Sequence, residues 1–319
     1  SIILLENNGL LPLSKDIKSI AVIGPNADNQ YNQLGDYTAP QSDDDIVTVL
    51  EGIRNTVPHA EINYVKGCDI RDTHNTDIVA AVAAAKKSDA TILVVGGSSA
   101  RDFKTSYAST GAANVETASD RLPDMDCGEG YDRATLDLLG DQLSLLQALI
   151  DAKVRLVVVY IEGRPLNMNL AAEKADALLC AWYPGEQGGQ AIADVLFGDY
   201  NPAGRLPVSV PRSVGQLPVY YSKRVSHNYI DSPAAPLYPF GYGKSYTTFH
   251  YGTPSAQVNA DGTVTVRCSL TNTGNKDGDE VAQLYLCDEY SSVAIPRKLL
   301  NGFQRVSLKA GETCELSFK

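Results

Sequence analysis

Thr91-Ile92-Leu93-Val94-Val95 is a short apolar run closed by Gly96 and Gly97. A strand-length run this uniformly apolar reads as a strand buried on both faces, the usual state inside a parallel sheet. Working backwards, residues 78–87 are Ala-rich and helical, and residues 62–65 form another strand. Residues 49–57 carry helix spacing, and Ile20-Ala21-Val22-Ile23-Gly24 is a further buried-strand candidate. Working forwards, Leu139, Leu143, Leu146 and Ile150 fall on one helical face. Residues 156–161 and 177–182 are strands again, and residues 190–196 are a helix ending before Gly198. Alternating β and α units predict an α/β domain over residues 1–211, a mostly parallel sheet sandwiched by helices.

The texture changes over residues 212–251 to Pro, Tyr, Gly and Ser with little periodicity. Tyr220, Tyr221, Tyr229, Tyr238, Tyr242 and Tyr246 make this a connector that packs on something, since a flexible linker is poorer in aromatics. Beyond it, residues 263–270, 280–286 and 299–308 are strand-length runs. Asn272-Thr273-Gly274-Asn275 and Lys309-Ala310-Gly311-Glu312 supply the turn chemistry. An antiparallel β-sandwich over 252–319 follows, and it is expected to be incomplete because the alternating run 315–319 stops without a turn. Residues 1–5 read as structure already under way, so a domain ahead of Ser1 is expected too.

Bulk properties narrow the function. With 319 residues the chain is long for one domain and comfortable for two. A net charge of −11 argues against a nucleic-acid partner, whose phosphates would be repelled. No apolar run reaches the roughly 18 residues a membrane helix needs, so no membrane span is expected. Cys68, Cys127, Cys180, Cys268, Cys287 and Cys314 are scattered, with neither a disulfide framework nor a metal spacing. His59, His74, His227 and His250 have no ligand partner three or four residues away, so no metal is expected. Gly24-Pro25-Asn26-Ala27-Asp28 lacks the spacing of a dinucleotide fingerprint and the lysine of a phosphate loop, which leaves no cofactor to predict. No Gly-x-Ser-x-Gly elbow supports a serine hydrolase.

The chemistry points to the long excursion after Val95. Roughly 40 residues separate that strand from the helix near Leu139, and connections of such length are usually functional or disordered. The excursion leaves the carboxyl end of a strand, where open α/β sheets present their ligands, and passes Arg101 and Asp102 at once. It closes with Cys127-Gly128-Glu129-Gly130-Tyr131-Asp132-Arg133. Gly128 and Gly130 let the backbone bend on either side of Glu129, so a carboxyl group can project from a tip. Asp132 and Arg133 are placed to fasten the base of that tip by ion pairing. Pattern alone leaves a second reading open, a solvated acidic loop, given Asp120, Asp124 and Asp126.

Several stretches together resemble glycoside hydrolase family 3, the β-glucosidase and β-xylosidase family. They are SIILLENNGLLPL (1–13), IAVIGPNAD (20–28), GEGYDRATLDL (128–138), WYPGEQGGQAIADVLFGDYNPAGRLPV (182–208), PFGYGKS (239–245) and EVAQLYL (280–286). The resemblance covers essentially the whole chain and implies an α/β sandwich domain followed by a fibronectin type III-like domain. It further implies a (β/α)8 barrel upstream that supplies an aspartate nucleophile, and no residue here takes that role. Glu129 carries over as the general acid/base of a retaining exo-β-glycosidase acting on terminal β-linked glucose. A β-xylosidase, or a non-catalytic carbohydrate-binding or scaffolding module, is the alternative. The implied partners are a carbohydrate substrate and the barrel. A periplasmic or secreted location is favoured by the same resemblance, with no signal region in the chain.

Other residues have plainer readings. Arg101 and Asp102 line the rim of a sugar site or form a structural ion pair. Trp182, after an apolar strand, reads as buried at a domain junction rather than stacked on sugar. Glu186, between a strand and a helix, reads as a helix N-terminal acid.

Overall fold

The computed structural model describes residues 2–38, 42, 45–99, 109–110, 124–128, 130–223 and 227–319. Its first layer system is built on six strands: β1 (Ile3–Asn7), β2 (Ser19–Ile23), β3 (Glu61–Val65), β4 (Ala90–Gly96), β5 (Leu156–Ile161) and β6 (Ala177–Cys180). They pair in the order β1-β6-β5-β4-β2-β3. β2 to β6 run parallel to their neighbours, and β1 lies antiparallel on β6 as an edge. β4, β5 and β6 are buried along their whole length, which is why their sequences show no polar alternation.

Because successive side chains point to opposite faces, one sheet makes two cores. Val22, Ile92, Val94, Val157, Val159 and Leu179 face α1 (Val49–Thr56) and α5 (Gly188–Phe197). Ile23, Leu93, Val95, Val158, Tyr160 and Leu178 face α2 (Ile78–Lys86), α3 (Gln142–Asp151) and α4 (Asn169–Lys174). α1 starts with a capping box in which Thr48 accepts from the Glu51 amide and Glu51 accepts from the Thr48 amide. α1 and α5 approach so closely that a Cβ on Gly189 would lie 1.9 Å from the Thr48 carbonyl oxygen. The buried face of α3 is Leu145, Leu146 and Leu149. Leu143 is 44% exposed and Leu139 precedes the helix, so the expected stripe was rotated.

Chain order across the sheet reverses between β2 and β4: β3 lies to one side of β2, and the path then returns to β4 on the other. Their carboxyl ends form the switch-point crevice where such sheets hold ligands. The long excursion leaves from this crevice.

The stretch after Arg212 lies along the same unit. Val210 and Tyr238 bridge, and Tyr238 stacks on Tyr242 with centroids 5.1 Å apart. The Tyr238 hydroxyl donates to Glu6 at 3.1 Å, and that of Tyr246 to the Val195 carbonyl at 2.7 Å. Tyr221 stacks on Phe240 and accepts the Leu300 amide, tying the stretch to the strands that follow.

Those strands are β7 (Phe249–Tyr251), β8 (Ser255–Val258), β9 (Val264–Asn272), β10 (Gly278–Leu286), β11 (Leu299–Leu308) and β12 (Thr313–Phe318). β9 pairs antiparallel with β12, β7 and β8, and β10 pairs antiparallel with β11. Leu270, Ala282, Leu308 and Leu316 form the small core between the two sheets. β7 lies wholly within residues 212–251, the stretch read as connector. The sandwich is docked on the first unit by the Arg205–Glu280 ion pair at 2.7 Å and by Asn201, which donates to the Asp277 carbonyl. No helix of the described residues is long and apolar enough to cross a membrane.

Candidate active site

The excursion starts and finishes at one side chain. Gln142, fully buried at the start of α3, accepts the Gly96 amide at 2.9 Å and donates to the Gly96 carbonyl at 3.0 Å. It also reaches the carbonyls of Ile70 and Leu139. A single amide thus ties the last residue of β4 to the helix that ends the excursion, closing a loop 46 residues around.

Within that closure the residues before position 129 are pinned to the strand ends. The amides of Asp126 and Cys127 both donate to the Ser98 carbonyl, just past β4. The Asp126 carboxylate accepts the Ser98 amide at 2.7 Å. Asn26, after β2, donates to the Gly97 carbonyl and accepts from Asn32, so both sides of the switch point are locked. Arg71 donates to the Met125 carbonyl at 2.9 Å.

Two guanidinium groups complete the platform. Arg133 meets Asp126 at 2.6 Å, and it also donates to the Asp137 carbonyl. Arg164, from the turn after β5, donates from Nε to the Cys127 sulfur at 3.4 Å and from Nη2 to the Tyr131 carbonyl at 3.0 Å. A Cβ on Gly163 before it would lie 2.4 Å from the Tyr183 hydroxyl oxygen, so any larger residue there would have to displace the phenol.

Below the platform lies a second acid. Glu162, at the carboxyl end of β5, is fully buried and accepts the Leu166 amide at 3.2 Å and the Cys180 thiol at 3.5 Å. Burial pushes its carboxyl up to about 8, opposed by the Leu166 amide and helped by the nearby Asp126 charge. Burial also raises Asp126, against the pull of the Ser98 amide, Arg133 and Arg164. At neutral pH the two acids therefore divide: Glu162 is held protonated, and Asp126 is the one with a cationic partner.

Arg133 sits at the base of the loop, but its carboxylate partner is Asp126. Asp132 is exposed beside it. Asp126 itself, grouped by sequence with a solvated acidic loop, is 4% exposed and carries the main polar anchor. Glu129, Arg101 and Asp102 lie outside the described residues. Trp182 packs partly buried against the core and takes a positive φ of 54°, its carbonyl receiving the Glu162 amide. Glu186 is exposed ahead of α5 and does not join the platform. Gln142, Asp126, Glu162 and Arg164 were not found by sequence reasoning. For the last two the available signal was position, since Glu162-Gly163-Arg164 follows a parallel strand as directly as Gly97-Ser98 does.

Set against known proteins, residues 2–246 match the glycosyl hydrolase family 3 C-terminal domain, and residues 280–319 match a fibronectin type III-like domain. A β-xylosidase of Formosa agariphila is 44% identical across 100% of this chain, which covers 43% of that protein. A periplasmic β-glucosidase of Salmonella typhimurium is 38% identical, again over 100% of this chain and 43% of that protein. Among solved structures, a β-glucosidase from intestinal bacteria involved in saponin metabolism superposes with a TM-score of 0.85 at 34% identity, covering 99% of this chain and 47% of that one. The chain thus spans less than half the length of these relatives.

Proposed function

Because the chain belongs to glycoside hydrolase family 3, we propose that the protein carrying it hydrolyses terminal β-linked glucose from oligosaccharides or glycosides with retention of configuration. In this reading Glu129 is the general acid/base, and an aspartate on a barrel domain ahead of Ser1 is the nucleophile. The observation that supports the role of Glu129 best is the pinning of both its flanks. Asp126 and Cys127 on one side are held to Ser98 just past β4, Tyr131 on the other is held to Arg164 past β5, and Arg133 pairs back onto Asp126. A proton donor delivered across a domain boundary needs such a base, because general acid catalysis requires hydrogen-bond reach to the leaving oxygen.

The chemistry follows two steps. The nucleophile attacks the anomeric carbon while the acid protonates the departing oxygen; the same residue, now a carboxylate, then deprotonates the water that releases the sugar. The two carboxyl groups of a retaining site stand about 5–5.5 Å apart. An ionised nucleophile that near raises the pKa of the acid and keeps it protonated for the first step.

The test is the leaving group. In the intact enzyme, Glu129→Ala is expected to slow a disaccharide by about 10²–10⁴-fold. A dinitrophenyl glycoside, whose leaving group needs no proton, should slow by less than about tenfold in glycosylation. Equal losses on the two substrates would remove Glu129 from the role. A second reading, xylose in place of glucose, is favoured by the 44% identity to a β-xylosidase. The kcat/KM ratio for nitrophenyl β-glucoside and β-xyloside decides between them.

A further inference from the structure

We propose that Arg164 is a positioning residue that aims Glu129, an inference that rests on the acid/base reading of that residue. The guanidinium of Arg164 holds Cys127 through Nε and Tyr131 through Nη2. These residues stand two positions before and two positions after Glu129 in the sequence. Arginine presents its donors in a rigid planar fork, so the spacing between the two held points is set by the fork itself. With Cys127 and Tyr131 both fixed to one planar group, neither can shift relative to the other without losing one of the two bonds.

The other cations near the platform do different work. Arg133 is committed to Asp126 and to the Asp137 carbonyl, and Arg71 holds Met125. Those contacts fall on residues three or more positions from 129, whereas Arg164 holds the residues two positions to either side of it. Its own origin is rigid. It stands three residues past the end of β5, Gly163 before it is packed against Tyr183, and Glu162 at the strand end is fastened to the Leu166 amide. Tyr183 in turn lies beside Cys127, whose sulfur accepts from Arg164. The path from β5 to the flanks of Glu129 therefore contains a strand end, one tight turn and one planar side chain. A displacement of about 1 Å at a catalytic group can cost about 10²-fold in rate, which is the scale of effect this residue controls without touching substrate.

The experiment compares Arg164→Ala and Arg164→Lys with Glu129→Ala in the intact enzyme, on a disaccharide and on the corresponding dinitrophenyl glycoside. Arg164→Ala is expected to lower kcat/KM for the disaccharide by about 10²-fold and for the activated glycoside by less than about fivefold. Added guanidinium should recover part of the disaccharide rate. Arg164→Lys keeps the charge but not the fork, so it should show the same split without rescue by guanidinium. It also supplies the comparison if the alanine variant fails to fold. Amide exchange of the peptide containing residues 127–131 should accelerate in both Arg164 variants while peptides from α1 and α5 are unchanged. If Glu129→Ala separates the two substrates and the Arg164 variants do not, or if exchange at 127–131 is unaltered, the positioning role is overturned and the acid/base role stands. If Glu129→Ala itself fails to separate them, both fall together.

Discussion

Arg133 and Asp126 form an ion pair at 2.6 Å with side chains only 5% and 2% exposed. A pair so withdrawn from water is sensitive to the loss of one partner, because the survivor keeps its desolvation cost without its Coulomb gain. Arg133→Ala is expected to destabilise the chain by about 3–5 kcal/mol. The double variant Arg133→Ala with Asp126→Ala should lose less than the two single losses added together. Denaturant unfolding of the three variants checks this, and strict additivity would mean the two groups are uncoupled.

Glu162 gives a prediction in pH. Its folded pKa of about 8 lies above the 4.5 of a free glutamate, so the folded state binds a proton that the unfolded state releases. The contribution is fully present below pH 4.5 and declines as pH rises towards 8. Above that the side chain must ionise in place, next to Asp126. Glu162→Gln retains an acceptor for the Leu166 amide and cannot ionise. Its Tm relative to the unaltered chain should therefore climb steadily from pH 5 to pH 8, as followed by circular dichroism melts. A difference independent of pH would show that Glu162 is not held protonated.

At the junction of the sheet unit and the sandwich, Arg205 and the Tyr251 hydroxyl both reach Glu280. Arg205→Ala leaves a carboxylate that is only 12% exposed with the phenol alone, and about 3 kcal/mol of stability should be lost. Tyr251→Phe removes one hydrogen bond and leaves the ion pair, so about 1 kcal/mol is expected. Chemical denaturation ranks them. Equal effects would mean the ion pair contributes nothing beyond a hydrogen bond.

What the sequence could reveal followed from how locally each feature is encoded. β4 and β5 are continuous apolar runs because burial on both faces leaves no polar alternation, and such runs can be read without any partner. α4 spans only Asn169–Lys174, too short for a periodic stripe, and β8 is exposed at all four residues, so neither leaves a pattern. β1 is an antiparallel edge whose Glu6 is taken up by Lys244 and Tyr238 from residues over 200 positions away. No local window contains that information. The glycine-bracketed loop was legible because backbone freedom is written in the residue type. Its fastening was not, because Asp126 looks like its acidic neighbours until Ser98 and Arg133 are brought to it by the closure at Gln142.

The stereochemistry of rescue tests the acid/base assignment most directly. In the intact enzyme carrying Glu129→Ala, azide needs no base to attack a covalent glycosyl-enzyme, and two successive inversions at the anomeric carbon return the original configuration. Proton NMR of the reaction with a dinitrophenyl β-glycoside and azide should therefore show faster turnover and a β-glycosyl azide as product. An α-glycosyl azide, or no azide adduct and no acceleration, would contradict the account.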